Sequence, residues 1–451
     1  MKRTLSGSLT IVLALTMVVF LTFCMVLVEG VRAYFVRMEA MQAMELTEYS
    51  VLSEFQQELF AQYGLFFLDL DYEQGCEMTA VLGKRAEKYL TKNSLQTETA
   101  GIEVGKIRRA TDGQGLSFFQ QAVAVMKLEN GYRWLEELLE LSGEGEHAEP
   151  DVEALLGEQI SEAEGILAGA VDEKERPLWD ISLPKISYPS VDSLTQAVFG
   201  DESVLSDKQI NLKERIKNRQ IEKGSGVLEE RNFSDMQQFH KYLFAYCSHY
   251  GSEEETFWME NLEYQIEYII FGQESDKENL ENMMWRIFLL RSGGNYLFYH
   301  QDGEKIAVAE AEAIAIAGAS ANPALIKAVR EILLITQAIE DGVEETKRIF
   351  AGERVPFYQQ GVFSGIEIGY EEYLYLLLST TGAKEKIYRC MDVIELEVRT
   401  KSGYEKFRFD HCTDNFELVW TYQYESLFLK IPLLEQHGYE NTMVRNVNYE
   451  N

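Results

Sequence analysis

The sequence predicts an α+β protein, predominantly α-helical, with a single N-terminal transmembrane helix, a helical stalk, a helical bundle and a small C-terminal antiparallel sheet. Three observations support this class. An uncharged run extends from Leu5 to Val28, apolar residues then recur every three or four positions along much of the chain, and apolar and polar residues alternate near the C-terminus, as in Glu417–Tyr424. A chain of 451 residues also has room for several structural units.

The apolar run at the N-terminus is long enough to cross a membrane. Its 24 uncharged residues from Leu5 to Val28 rise about 36 Å as a helix, against roughly 30 Å for the hydrocarbon core of a bilayer. A cleaved signal peptide has an apolar region of only ~7–15 residues and ends in a small-residue site. Val31-Arg32-Ala33 fits such a site poorly. The sequence therefore predicts an uncleaved signal anchor.

The orientation of this span rests on the lengths of its flanks. The basic residues tie, with Lys2 and Arg3 before the span and Arg32 and Arg37 after it. A very short tail before the span and a long acidic region after it favour a cytoplasmic N-terminus. The prediction is a single-pass protein of the cell membrane with an extracytoplasmic C-terminal domain.

The overall charge excludes one large class of partner. The chain has 42 Lys and Arg against 74 Asp and Glu, a formal net charge of −32. Nucleic-acid binding needs concentrated positive charge, so no nucleic-acid partner is predicted. The same acidity disfavours adhesion to an anionic membrane surface, which leaves the single span as the predicted contact with the membrane.

Beyond the span the helical periodicity continues. Apolar residues recur at three- and four-residue spacings as far as Tyr63, which predicts one amphipathic stalk helix to about Gln62, broken near Gly64. The stalk carries a stripe of Met residues. This stripe either packs on the protein's own outer region or forms a surface for a partner helix.

Composition and local signals divide the rest of the chain. Pro177, Pro184 and Pro189 are three of only seven prolines and predict a linker at 176–193. The predicted segments are a membrane anchor at 1–37, a stalk and first α+β region at 38–175, the linker, a helical bundle at 194–350 and a C-terminal α+β region at 351–451. The first region is expected to contain helices over Thr79–Asn93, Leu116–Leu141 and Asp151–Val171 and a strand over Gly101–Ala110.

Start and stop signals predict four helices in an antiparallel bundle. These signals are capping boxes at Ser252–Glu255 and Ser275–Glu278, a glycine stop at Gly272, an Ala-rich helix over Gly303–Ala319, and an Asn322-Pro323 start of a helix that reaches Phe350. The C-terminal region is expected to hold helices over Tyr370–Leu378 and Ala383–Leu396 and strands over Lys406–Phe409, Glu417–Tyr424 and Ser426–Ile431.

The sequence carries no recognisable catalytic motif. It has no phosphate-binding loop of the GKS/GKT type, no Gly-x-Ser-x-Gly elbow and no His-Glu-x-x-His helix, and its six His are scattered. No cofactor, metal site or enzymatic activity is predicted. The expected function is that of a membrane-anchored assembly protein; the alternatives are an extracytoplasmic sensor or ligand-binding module and, third, a wall-associated hydrolase.

Five cysteines leave the redox state open. Cys24 lies inside the span, whereas Cys76, Cys247, Cys390 and Cys412 lie outside it and allow two disulfides in three connectivities. Cys390 and Cys412 flank the passage from helix to strand in the C-terminal region, so their disulfide is the one predicted. Free, buried thiols are the alternative.

One stretch of the N-terminus resembles a known family. Gly7-Ser8, the apolar span and Glu29-Gly30-Val31-Arg32-Ala33-Tyr34 together resemble the start of TadE/TadG-like proteins of the tight-adherence pilus apparatus. The wider chain is similar to an uncharacterised group of clostridial membrane proteins. The other segments that carry this likeness are Glu54-Phe55, Tyr63–Asp69, Glu267–Gly272, Asn322–Ile326, Tyr370–Leu374 and Met391–Glu395.

The resemblance implies a role beside other proteins of a Tad-like pilus or secretion system. It departs from the prepilin pattern at one position. Prepilins are usually cleaved after a Gly and carry a Glu five residues further on, where this chain has Val12 after Gly7. Glu29, at the far end of the span, does not occupy that position and is expected to pair with Arg32 or to lie in the headgroup region.

Overall fold

The computed structural model describes residues 6–70, 77–128, 161, 188–200, 205–221, 223–225, 235–252, 261–357, 367–427 and 438–449. These residues form twelve α-helices, a four-stranded antiparallel sheet and a two-stranded one, so the predicted helix-dominated α+β class is confirmed. The chain divides into two compact units. The terminal unit comprises Met1–Val125, Gln220–Asn232 and Val398–Asn451, and the central unit comprises Met126–Arg219 and Phe233–Glu397.

The terminal unit combines four helices with the four-stranded sheet. Its elements are α1 (Ser6–Leu52), α2 (Gln57–Tyr63), β1 (Leu68–Asp69), α3 (Met78–Asn93), β2 (Glu98–Arg109), α4 (Asp112–Leu128, whose last residues belong to the central unit), β5 (Cys412–Glu425) and β6 (Gly438–Asn448). In α4 the regular helix begins after Gly115, as predicted, because Gly113, Gln114 and Gly115 have positive φ.

The predicted span and the stalk form one continuous helix, α1, but the stalk ends earlier than predicted. The helix stops at Leu52, and α2 begins after Gln56, whose side chain caps the amide of Leu59. The main-chain amide of Gln56 donates to the Phe67 carbonyl at 2.8 Å, which holds the bend. The stop at Gly64 is confirmed, since this residue adopts the left-handed conformation after α2.

The four-stranded sheet is built around one long strand. Strand β5 pairs antiparallel with β1, β2 and β6, and its register places Trp420 opposite Ile102 of β2 and Met443 of β6. Phe416, Leu418, Trp420, Tyr422 and Tyr424 of β5 are all buried, because alternate side chains of a strand share one face.

One strand prediction near the C-terminus was confirmed and another was wrong. Glu417–Tyr424 lies within a strand that already begins at Cys412, and the segment predicted as Lys406–Phe409 instead leads into a 3₁₀ turn at Phe409–His411. Of Ser426–Ile431, residues 426 and 427 follow the end of β5, and the rest lie outside the described residues. Strand β6 was not predicted, because Gly438–Asn448 is mostly polar and most of its described residues are exposed or half-buried.

The core of the terminal unit forms between the sheet, α3 and the second half of α1. Val36, Ala40, Ala43 and Met44 of α1 are at most 2% exposed and pack in one cluster with the aromatic residues of β5. The small Ala side chains let the helix approach the sheet closely. We call the folded part of the chain that follows the apolar segment the head. This packing makes the second half of α1 part of the head.

The central unit is helical. Its elements are α5 (Val191–Phe199), α6 (Met236–Tyr246), α7 (Gln265–Phe271), α8 (Asp276–Tyr299), α9 (Gly303–Ala317), α10 (Pro323–Phe350), β3 (Val355–Pro356), β4 (Glu367–Ile368), α11 (Tyr370–Thr380) and α12 (Ala383–Arg399, whose last two residues belong to the terminal unit).

The predicted helix signals at Gly272, Ser275 and Asn322-Pro323 are confirmed, whereas the first helix begins only at Gln265. The Ser275 hydroxyl accepts the Glu278 amide at 3.1 Å, Gly272 ends α7 in the left-handed conformation, and Asn322 caps α10 with Pro323 in its first turn. Residues 253–255 of the other capping box, 129–141 and 151–171 of two predicted helices, apart from residue 161 in a helical turn, and 176–187 of the linker lie outside the described residues. The predicted domain boundaries stay predictions.

Several charged side chains are buried in the central unit and hold its segments together. The Asp392 carboxylate of α12 accepts the Ile216 amide at 2.8 Å and the Tyr268 hydroxyl at 3.2 Å. Glu395, one turn further on, forms a bidentate ion pair with Arg219. Burial raises the pKa of Asp392 to about 7, because the charged form loses its hydration.

Neutralising Asp392 should remove a pH-dependent cost to folding. Its folded pKa lies above the ordinary value of 3.8, so between these values the folded chain binds more protons than the unfolded chain and stability falls as pH rises. Relative to wild type, Asp392→Asn should therefore gain roughly 1.4 kcal/mol of unfolding free energy for each pH unit across that window. This difference is measured by urea denaturation of the solubilised full chain at several pH values, with hydrogen exchange of the α12 amides as the readout of unfolding.

Glu312→Gln is the matched control, because Glu312 is an exposed carboxylate on α9. Its effect should stay within about 0.5 kcal/mol at every pH. An Asp392→Asn difference that does not change with pH would contradict the assignment.

Candidate functional site

The first half of α1 presents apolar side chains on every side. The large apolar residues from Leu9 to Val28 are 44–71% exposed, and the helix is long and apolar enough to cross a membrane, with a mean hydropathy of 2.9 in its most apolar window. Leu5, where the predicted span begins, lies just outside the described residues, and Val28 at its end is 51% exposed. An all-round apolar surface on a helix is suited to lipid.

Burial on α1 begins immediately after this segment, at Glu29. The Glu29 side chain is only 4% exposed, and its carboxylate accepts the Leu427 amide at 3.1 Å. Arg32, one turn further on, donates from Nη1 to the Glu425 carbonyl at 2.6 Å. The two charged residues of the Glu29–Tyr34 motif thus both bind the end of β5, a role that their spacing alone did not predict.

Two more carboxylates on α1 bind the head further along the helix. Glu39 Oε1 accepts the amides of Leu95 at 2.6 Å and Gln96 at 3.0 Å, in the turn between α3 and β2. Glu48, 5% exposed, forms an ion pair with Arg445 of β6. We call Glu29, Arg32, Glu39 and Glu48, with these partners, the helix clamp.

The helix clamp explains how an amphipathic helix carries charge on its packed side. A buried carboxylate is costly unless hydrogen bonds or an opposite charge replace its hydration, and the three clamp carboxylates each have such a partner. The contacts are spread over about five turns of α1, from Glu29 to Glu48. The apolar half of α1 therefore continues as regular helix into the half that the helix clamp binds, with no break between them.

The opposite face of α1 beyond the span carries an apolar stripe. Its members are large side chains that are 38–63% exposed: Val31, Tyr34, Phe35, Met38, Met41, Leu46 and Tyr49. Of the predicted Met stripe, only Met44 packs into the head, at 1% exposure. Met38 and Met41 are exposed, so packing on the protein's own outer region is confirmed for Met44 alone, and the partner-helix surface stays a prediction. We call the seven residues the outer stripe.

The cysteines do not adopt the predicted pairing. Cys390 and Cys412 are free, buried thiols, as is Cys247, and Cys24 is a half-buried thiol on α1. Cys390 lies on α12 in the central unit and its thiol contacts that of Cys247, whereas Cys412 begins β5 in the terminal unit and donates to the Arg408 carbonyl. The Cys390–Cys412 disulfide is thus not formed in the structure and stays a prediction about the oxidised protein. Cys76 lies outside the described residues.

One buried acid in the central unit has the environment of a functional group. Glu267 on α7 is fully buried and accepts the Tyr370 hydroxyl at 2.5 Å and the Tyr250 amide at 2.8 Å, and burial raises its pKa. His249 lies near it and bonds the Tyr250 carbonyl through Nδ1. The carboxylate serves to hold the loop after α6 against α11. Among the described residues, no group of three or more His, Cys, Asp or Glu is placed to hold a metal ion.

Removing the Glu48 charge should loosen α1 from β6. Glu48→Gln leaves Arg445 without its charged partner, so the unfolding free energy should fall by about 1–3 kcal/mol and hydrogen exchange of β6 should increase. Hydrogen exchange of the membrane-reconstituted chain measures the unfolding free energy and the protection of the β6 amides. The matched control is Glu45→Gln, an exposed carboxylate three residues earlier on the same helix, with an expected change below about 0.5 kcal/mol. Equal effects of the two variants would count against the clamp.

Charges placed in the apolar half of α1 should release the chain from membranes. Each Arg at the centre of a span costs about 2.5–3.5 kcal/mol, so the double variant Val18→Arg/Leu21→Arg should move a large fraction of the chain into the carbonate-soluble fraction. The control variant Leu46→Arg/Tyr49→Arg has the same spacing at exposed positions beyond the span and should stay in the membrane pellet. Pelleting of both variants would show that the segment is not a span.

Comparison with known proteins identifies the family. A family model described as a family of unknown function, DUF5702, matches residues 182–364 and 360–424, which together cover more than half of the chain. The matched range contains α5 to α12 and most of β5. No curated protein and no solved structure matches the chain. The chain belongs to the DUF5702 family of unknown function.

Proposed function

We propose that this chain is a non-enzymatic, single-pass membrane protein whose extracytoplasmic head is a component or assembly factor of a Tad-like pilus or type II-related secretion system. The observation that carries the proposal is the continuity of α1. One helix supplies both the apolar segment and a packed side of the head, and the helix clamp joins the two. Because no linker interrupts α1, a movement of its apolar segment would also move the head.

The outer stripe supports a role in assembly. Isolated exposed apolar residues are ordinary on protein surfaces. Large exposed apolar side chains that recur along one face of a helix are instead suited to a partner helix. This stripe follows directly on the lipid-facing segment, so a partner that crosses the same membrane reaches both surfaces with a single helix. The amphipathic geometry, with anchors at three- and four-residue spacings, is suited to such helix packing.

The motif that resembles TadE/TadG-like proteins has a physical role that fits this proposal. Glu29 and Arg32 bind the end of β5 where the helix leaves its apolar segment. A pair at this position fixes the angle between the membrane helix and the head. A protein that works beside other membrane-anchored subunits needs that angle to be constant.

Photo-cross-linking from the outer stripe tests the proposal. A photoreactive residue at Tyr34, which is 63% exposed, should give adducts in the native membrane with pilus-type subunits or with the membrane platform proteins of a secretion system. The matched control position is Leu95, which is 87% exposed in the head turn and outside the stripe, and should give no such adducts. The genes next to this one should also encode a secretion ATPase and its platform proteins.

Two outcomes would contradict the assembly role. If Tyr34 gave adducts with lipid alone, the outer stripe would not be a surface for a protein partner. Stoichiometric binding of a small ligand by the chain, together with the absence of pilus or secretion proteins among the adducts, would favour the alternative of an extracytoplasmic sensor.

A further inference from the structure

Two cysteines of the central unit lie side by side, although they are far apart in the sequence. Cys247 follows the last residue of α6, and Cys390 lies in the middle of α12. Both side chains are fully buried, and the Cys390 thiol forms a hydrogen bond with the Cys247 thiol. Thiols in such contact satisfy the first requirement for a disulfide, which is that the two sulfur atoms approach each other.

A second contact between α6 and α12 fixes this pair. Lys386, one turn before Cys390, donates from Nζ to Nε2 of His240 at 2.9 Å and to the Leu378 carbonyl at 2.7 Å. His240 accepts this bond because burial keeps its pKa well below the ordinary value and the ring is neutral. The Lys386–His240 bond therefore brings α12 to α6 one turn before Cys390.

The neighbours of both cysteines are also held. Arg389, next to Cys390, donates to the carbonyls of Ile269 at 2.8 Å and Ile270 at 2.5 Å at the end of α7. The segment after Cys247 is tied to the start of the same helix, where the Ile266 amide donates to the Ser248 carbonyl at 3.0 Å. Helix α7 therefore positions the main chain on both sides of the thiol pair.

We propose that Cys247 and Cys390 form a disulfide in the mature protein, and that Cys390 does not pair with Cys412. The proposal rests on the extracytoplasmic location of the head, because disulfides persist in oxidising compartments. The two thiols lose two protons and two electrons as the S–S bond forms. An external disulfide, carried by a thiol oxidoreductase or a small thiol compound, accepts them and is reduced to two thiols.

The burial of the pair determines when this bond forms. Thiolate is the attacking species in disulfide exchange, and burial raises the pKa of Cys390 well above its ordinary value. Exchange is therefore slow once α12 has packed on α6. The bond is formed while the chain folds, and the folded oxidised protein should resist reductants until it is unfolded.

The bond would close a loop that contains α7 to α11. Such a cross-link restricts the unfolded chain, and the restriction grows with loop length. The closed loop includes α7, which holds the buried Glu267. In an oxidising compartment this covalent link would hold the two ends of the loop together.

Peptide mapping of the full-length chain tests the proposal. Protein isolated from membranes of an exporting host is denatured in alkylating reagent and digested, and the peptides are identified by mass with and without reductant. The expected result is a reductant-sensitive link between the Cys247 and Cys390 peptides. Cys412→Ser should keep this link, and Cys247→Ser should abolish it and leave Cys390 alkylated.

Two results would overturn the pairing. One is a link between Cys390 and Cys412, and the other is alkylation of both Cys247 and Cys390 in chains whose head is accessible to protease from outside. A protease-protected head would refute the proposed topology separately. In that case the pairing is tested by refolding the urea-unfolded chain with oxidised glutathione, where absence of the Cys247–Cys390 link refutes the assigned geometry.

Discussion

The packing of the second half of α1 against the four-stranded sheet is the contact on which the terminal unit depends. Strand β5 turns five large side chains towards one face, and a sheet with such a face is stable only if another layer covers it. Val36, Ala40 and Val51 of α1 supply that cover together with α3. Burying one Val- or Leu-sized side chain contributes about 1.5–3 kcal/mol, so the loss of this helix would expose much of the core. The second half of α1 and the four-stranded sheet are for this reason one folding unit.

Charged side chains in both units bind main-chain ends, where hydrogen-bonding groups would otherwise lack partners. In the terminal unit, Glu29 and Arg32 bind the amide and the carbonyl that follow the regular part of β5. In the central unit, Arg389 binds the last carbonyls of α7, and Asp276 accepts amides of the loop before that helix, from Glu263 at 2.8 Å and Tyr264 at 3.2 Å. A cation at a helix C-terminus also interacts favourably with the helix dipole. The acidic composition thus has structural uses as well as a surface role.

The sequence predicted best those features that depend on neighbouring residues. Gly272, Ser275 and the Asn322-Pro323 pair act through bonds that span only three or four residues, and the structure places each as expected. The span was predictable for the same reason, since length and hydropathy are local properties. The end of α1 at Leu52 was not, because the bend depends on the bond between Gln56 and Phe67, which lies beyond α2. The polar strand β6 carries no local signal, because its position comes from pairing with β5.

The candidate site followed the same division. The sequence located Glu29 and Arg32 at the end of the span but proposed that they pair with each other or contact headgroups, whereas their described partners are almost 400 positions away in the chain. Arg445 and Glu48 had no signal at all, because an ion pair across such a distance has no fixed spacing. The thiols show the point most sharply. Cys390 and Cys412 are close in sequence but belong to different units. Cys247 is much further from Cys390 in sequence, yet its thiol contacts that of Cys390.

The distribution of charge and apolar surface limits how such a head can meet its partners. At a net charge of −32, copies of the chain repel one another, but at physiological salt this repulsion acts over only about 8 Å. Attraction must therefore come from short-range contacts, and the outer stripe of α1 is an exposed apolar surface of that kind. In the proposed assembly the membrane would hold each partner's helix roughly parallel to α1, so the stripe would need to specify only rotation and height. The helix clamp on the other face of α1 would keep both fixed, as an ordered assembly requires of its subunits.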